Sequence, residues 1–197
     1  MSNAFRKLLT QIHNCKECSA ALPCPPKPVF RLGSVKASIL IIGQAPGMKA
    51  HLSATPWNDP SGDRLRDWMG VTKEQFSDIT KVAIMPMGFC YPGTGKSGDL
   101  PPRPECAPLW HDQVLKHLPN IKLTLLIGRY AQEYYLGNRR KETLGDTVKN
   151  WREYLKDGYL PLVHPSPRNQ IWLKKNPWFE KEIVPNFRKS VARLTRE

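Results

Sequence analysis

Ser38-Ile-Leu-Ile-Ile-Gly-Gln-Ala-Pro-Gly47 is the stretch that decides the fold. After Ser38 come four residues that are isoleucine or leucine with no polar alternation, the pattern of a strand covered on both faces, and the stretch ends in a turn of Gly and Pro. Three further runs repeat the theme: Val82-Ala-Ile-Met85, Leu123-Thr-Leu-Leu-Ile127 and Leu160-Pro-Leu-Val163. Helical stretches separate them. This βαβ rhythm predicts an α/β fold, a three-layer α/β/α sandwich with a central four-stranded parallel sheet, with residues 1–197 forming one domain. Each run leads at once into an unusual loop: Gly43 to Gly47, Pro86 to Cys90, Gly128-Arg-Tyr130 and His164-Pro-Ser-Pro-Arg-Asn169. In an open α/β sheet ligands bind outside the carboxyl ends of the strands, so these loops are expected to converge on one crevice.

The helices have readable limits. Ser61 is placed to cap a helix over Asp63 to Met69, and Thr72 with Gln75 forms a capping-box pattern. Further helices are expected over Glu105 to Leu118, Tyr130 to Leu136 and Asp146 to Leu155, with amphipathic helices over Phe5 to Ile12 and Phe179 to Leu194. Tyr91 to Pro104, rich in Gly and Pro, reads as a loop.

Thirty Lys and Arg against 17 Asp and Glu give a net charge of +13, which suits a polyanionic partner, nucleic acid first. The basic residues are spread through the chain rather than gathered beside an apolar segment, and no apolar run is long enough to cross a bilayer. Both features argue against a membrane partner. With no signal-peptide core and an odd number of cysteines, the expectation is a cytoplasmic, monomeric protein without a disulfide framework. Gly95-Lys96-Ser97 has the look of a phosphate-binding loop, but the glycine required five residues earlier is Cys90, so the spacing fails. Lys96 is read as a solvent-facing charge or a phosphate contact.

Cys15-Lys-Glu-Cys18 is a CxxC pair, and Cys90 and Cys106 are separated by fifteen residues. Four thiolates that the topology can bring together suit a tetrahedral zinc or an iron–sulfur cluster, and buried or free thiols are the plainer alternative. Cys24 is left as a free thiol.

The order of these elements resembles the family-four uracil-DNA glycosylases: CxxC, then GQAPG after a strand, Pro56-Trp57 with Ser61-Gly62, C-x15-C, LLIGRYAQEYYLG and an HP motif. The resemblance covers nearly the whole chain. It implies a [4Fe–4S] cluster on Cys15, Cys18, Cys90 and Cys106, with zinc as the alternative, and a DNA-repair enzyme that hydrolyses the N-glycosidic bond of uracil or a related damaged base. The departures are specific. The family's acidic residue in the first motif falls on Gln44, its uracil-reading Asn on Pro86 and its stacking Phe on Trp57. His164-Pro-Ser-Pro167 looks more like the second motif of the family-one enzymes, whose first-motif Asp falls on Ala45. A catalytically weak module of the same fold that binds DNA or damaged bases is therefore the alternative function.

Roles follow from the chemistry. Departure of a base leaves negative charge on it, and His164 is the expected donor to a base carbonyl, assisted by the turn containing Gly43, Gln44 and Ala45. Trp57 is the first choice for the stacking platform and Phe89 the second. His51 and Asp59 are the candidates to activate water. Arg168, four residues beyond the motif His, falls where family one wedges into the duplex, and Ser166 and Asn169 are expected phosphate contacts. Lys174-Lys175 and Arg139-Arg140-Lys141 are read as possible extensions of a basic track. His13, His111 and His117 are expected on exposed helix faces.

Overall fold

The computed structural model describes residues 1–96 and 98–196. Ser97 of the Gly95-Lys96-Ser97 motif lies outside the described residues. Among those described, the strands are β1 (Ile39–Ile42), β2 (Val82–Ile84), β3 (Thr94–Gly95), β4 (Gly98–Asp99), β5 (Leu123–Ile127) and β6 (Tyr159–Leu162). Four of them form a parallel sheet in the order β2-β1-β5-β6, with Ile41 opposite both Ile84 and Leu125, and Leu125 opposite Leu160. The strands fall within two residues of the limits read from the sequence. Pro161, which has no N–H to donate, is tolerated because β6 is an edge. The other edge, β2, is covered by an antiparallel bridge between Arg31 and Ile84.

Alternate side chains of the sheet enter two cores. Ile39, Ile41, Ile84, Leu125 and Leu162 pack on one face. They meet α3 (Pro60–Met69), α4 (Lys73–Ser77), α7 (Leu144–Lys149), α8 (Trp151–Leu155), α9 (Gln170–Lys175) and α10 (Val184–Arg196). Leu40, Ile42, Ala83, Met85 and Leu126 face the other way, against α1 (Asn3–His13), α5 (Cys106–Leu115) and α6 (Arg129–Leu136). The result is the expected α/β/α sandwich. The short α2 (Met48–Ser53), which the sequence reading did not anticipate, follows β1.

Four local differences have physical causes. Asp59, not Ser61, caps α3: its Oδ1 accepts the Gly62 N–H at 2.8 Å, and Pro60 takes the first helical position, where its missing N–H costs nothing. The helix expected over Asp146 to Leu155 is two, because Asn150 leaves the helical region and its side chain turns back to the Asp146 carbonyl. The C-terminal helix opens with a π-helical turn over Phe179–Ile183 before α10, where Pro185 withholds a backbone donor from the ladder. Within the Tyr91 to Pro104 segment, β3 and β4 form a two-residue antiparallel ladder. The capping box of Thr72 and Gln75 forms as read.

Candidate active site

The sheet reverses its order at β1, since the chain leaves β1 for β2 on one side and reaches β5 on the other. A cleft of about 520 Å³ opens at the carboxyl end of this switch point. Three of the four expected loops build it: Gly43 to Gly47 after β1, Pro86 after β2 and His164 to Asn169 after β6. The fourth begins α6, and Gly128 packs behind His164 without lining the cleft. The first two walls are tied together, because Met87 N–H donates to the Gly43 carbonyl at 2.8 Å and Gly88 N–H to that of Gln44 at 3.0 Å.

Trp57 lines the cleft with its ring stacked on His164, centroids 5.7 Å apart. The ring also crosses Gly43 so closely that a Cβ there would stand 2.9 Å from Cζ2, which explains why the residue that follows β1 is glycine. Trp57 holds a left-handed backbone, φ 58°, strained for a bulky aromatic. Its carbonyl accepts from Arg66 and lies directly against Gly62, so α3 fixes the conformation from behind.

His164 follows β6, and its orientation is set by its own loop. Its Nδ1 accepts the Ser166 N–H at 3.2 Å, its carbonyl accepts from the Asn169 amide at 2.7 Å, and Arg64 donates to the Ser166 carbonyl. With Nδ1 occupied as acceptor, the neutral ring carries its proton on Nε2. Burial lowers the imidazole pKa below its ordinary value, while the nearby Asp59 and Asp99 carboxylates oppose the shift. Histidine is thereby kept as a neutral donor.

Gly43, Gln44, Ala45, Asp59, Ser166, Arg168 and Asn169 also line the cleft, as anticipated. Several are already engaged. Gln44 Nε2 donates to the Leu100 carbonyl at 2.9 Å, one oxygen of Asp59 is used by the α3 cap, and the Asn169 amide closes the His164 loop. Arg168 packs its guanidinium against Gly98, which joins the β6 loop to the β3–β4 hairpin across the cleft.

Two expected members lie elsewhere. Phe89 is buried in the second core, stacked near Phe30 and His111, because its side chain turns toward α5 rather than toward the cleft. His51 packs on Tyr91 with Nδ1 buried and no partner among the described residues, and it does not line the cleft. His111 also corrects expectation: it is wholly buried, bonded to Tyr135 Oη at 2.7 Å and to the Pro86 carbonyl at 3.1 Å. Its pKa is pushed down to about 4 by burial. His13 is exposed and His117 half-buried against Phe5. Arg139, Arg140 and Lys141 are spent on ion pairs with Asp157, Glu133 and Glu153. Sequence reasoning missed Asp99, which lines the cleft from β4. The available signal was its being the sole acidic residue between Tyr91 and Pro104.

On the far side of the Pro86 to Cys90 segment, Cys15, Cys18, Cys90 and Cys106 line one small cavity, otherwise walled by Leu22, Pro26, Pro28, Phe89 and Trp110 with Arg103 at its rim. All five cysteines are free, and burial raises the thiols of Cys90 and Cys106 to about 11 and about 12. Four soft donors gathered in a nearly apolar cavity fit a thiolate-ligated group. Among the described residues, no group of three or more His, Cys, Asp or Glu is arranged to hold a metal ion as the side chains stand.

Residues 30–188 match the uracil DNA glycosylase superfamily. Cys15 and Cys18 precede that match. A type-4 uracil-DNA glycosylase of Saccharolobus solfataricus is 26% identical over 163 residues, 80% of this chain and 71% of that protein. The parallel sheet, the cleft at its switch point and a match spanning most of the chain agree: the protein belongs to the uracil DNA glycosylase superfamily.

Proposed function

We propose that the protein is a monofunctional DNA glycosylase that hydrolyses the bond between deoxyribose and uracil, or a related damaged base, in DNA. The observation that carries the reading is His164, held neutral with Nδ1 occupied and Nε2–H left as donor, stacked with Trp57 in the cleft. A base enters such a cleft only after leaving the duplex stack, at a cost of a few kcal/mol, which contact with an aromatic face offsets. As the glycosidic bond breaks, its electron pair moves onto the base. A hydrogen bond from His164 Nε2–H to a base carbonyl stabilises that charge, in a site where the donor needs no reorientation. Gly43, Gln44 and Ala45 contribute the backbone wall beside the base, and Pro86 occupies the position of the edge-reading residue. Pro86 has neither a side-chain donor nor a backbone N–H, and its carbonyl is engaged by the buried His111, so selection at that edge rests on shape. Arg168 and Ser166 face the DNA strand, and the chain's +13 charge supplies the general attraction.

Cys15, Cys18, Cys90 and Cys106 would hold a [4Fe–4S] cluster, with zinc as the alternative. Bound there, the group would cross-link the N-terminal segment to the loop after β2 and the start of α5 rather than supply chemistry at the cleft. Support comes from the shared cavity and from the type-4 relative.

The test is incubation of purified protein with uracil-containing single- and double-stranded oligonucleotides, followed by alkaline cleavage of abasic sites. Strand breaks that disappear in His164→Ala are expected. Salt-sensitive binding without product would favour the binding module instead.

A further inference from the structure

The glycosylase reading leaves one role without a holder: neither Gln44 nor Ala45 has a carboxylate with which to activate water. We propose that Asp99 supplies it, carried into the cleft by the β3–β4 hairpin, and that Gln44 is the positioning residue that anchors it there. The inference rests on the glycosylase reading and names a further catalytic residue within that site.

Asp99 lines the same cleft as His164 and Trp57. Its Oδ2 reaches the Gly43 to Gly47 turn so closely that a Cβ on Gly47 would stand 3.2 Å from it. The carboxylate therefore faces the turn that follows β1 although Asp99 lies 55 residues beyond Gln44 in the chain. Its other oxygen is oriented: Thr94 Oγ1 lies 3.2 Å from Oδ1, and Tyr91 Oη lies 2.6 Å from Thr94 Oγ1. The backbone beneath it is fixed too. Gln44 Nε2 donates to the Leu100 carbonyl at 2.9 Å and reaches that of Asp99 at 3.5 Å, and Leu100 N–H donates to the Gly93 carbonyl at 2.8 Å. An amide at position 44 can make these donations, whereas a carboxylate would repel both carbonyls and the Asp99 side chain. Position 44 has exchanged catalysis for support.

The rivals are less well placed. One oxygen of Asp59 is held by the Gly62 N–H, and His51 is packed on Tyr91 outside the cleft. Asp99 is exposed, with Oδ2 toward the cleft, and the charge it places near His164 also suits the positive charge that develops on the sugar. In the step proposed, water oxygen forms a bond to C1′ of the deoxyribose as the bond from C1′ to the base nitrogen breaks. The electron pair of that bond leaves on the base, and the water proton passes to the Asp99 carboxylate. Asp99 returns the proton to solvent and the released base anion takes one up, so the products are the free base and an abasic site.

The experiment is single-turnover cleavage of a uracil-containing single-stranded oligonucleotide across pH, by the wild type, Asp99→Asn and Asp59→Asn. Binding to the same strand carrying 2′-fluoro-deoxyuridine, which resists cleavage, serves as the control. Asp99→Asn is expected to lower the rate by ~100-fold or more, as loss of a general base does, with binding within about threefold and the acid limb of the profile abolished. A residue acting only through loop packing would lower the rate without removing that limb. Asp99→Asn with a rate within about threefold of wild type, or an acid limb lost in Asp59→Asn but kept in Asp99→Asn, overturns the assignment. A wild type that releases no base from any strand overturns the glycosylase reading itself, and the role of Asp99 with it.

Discussion

Replacing Gly62 with alanine should destabilise the protein, against the ordinary sign of that change. Inside a helix, alanine is favoured over glycine by about 0.5–1 kcal/mol, and Gly62 sits in the first turn of α3 with no unusual φ. Propensity alone therefore predicts a gain. The space does not allow it, because a Cβ would overlap the backbone carbonyl of Trp57, which has no rotamer to escape into. Either α3 shifts or Trp57 leaves its left-handed conformation. Overpacking of this kind costs about 1–3 kcal/mol, and displacing the Trp57 carbonyl weakens its 3.3 Å hydrogen bond from Arg66, worth about 0.5–1.5 kcal/mol. After the propensity gain is set against these, the net loss is roughly 1–3 kcal/mol, or a Tm lower by about 5 °C for a chain of this size. Urea denaturation of wild type and Gly62→Ala measures it. Because Trp57 is stacked on His164, cleavage of uracil DNA should fall in parallel, beyond what the unfolded fraction explains. A midpoint that rises or stays level would refute the claim that α3 clamps the backbone of Trp57.

Three further outcomes follow from the geometry. His111 titrates at about 4 when folded and near 6.5 when unfolded, so the unfolded chain binds more protons between those values. Its contribution is complete above pH 6.5 and is lost toward pH 4, by roughly 3 kcal/mol at 1.36 kcal/mol per pH unit, and His111→Gln should flatten that slope in urea midpoints measured across pH. Cys106→Ser should purify with less iron and less acid-labile sulfide than the wild type, the two reduced in equal amounts, and with a lower Tm. Iron-free protein releasing one zinc instead would fix the alternative. Trp57→Ala should reduce kcat/KM on uracil DNA by about 10–100-fold through loss of 1–3 kcal/mol of stacking, while a steep salt dependence of binding persists.

What the sequence revealed depended on how local the signal was. The strands were legible because burial on both faces imposes a continuous apolar run, and the sheet order then placed three loops around one cleft. His164 was legible through a short motif just beyond β6, and Trp57 through the Pro56-Trp57 pair that precedes α3. Phe89 was misplaced because a residue in a loop has no periodicity from which to read its direction, and burial beside His111 turns it inward. His111 itself looked like an exposed helix residue. Its burial depends on Tyr135 and on the Pro86 carbonyl, partners 24 and 25 residues away. Asp99 was missed for a related reason, since a two-residue strand leaves no pattern and its neighbours in the cleft come from distant turns.

The Pro86 to Cys90 segment has a consequence for any attempt to retarget the protein. One end forms the wall of the cleft and the other reaches the thiol cavity, with only Met87, Gly88 and Phe89 between them. Met87 and Gly88 are fastened to the β1 turn, and the Pro86 carbonyl is gripped by His111. The segment is thus pinned like a beam fixed at both ends. Redesign at position 86 should alter which bases are admitted through side-chain volume and hydrogen-bonding groups alone, with little freedom for the loop to adapt around a new occupant.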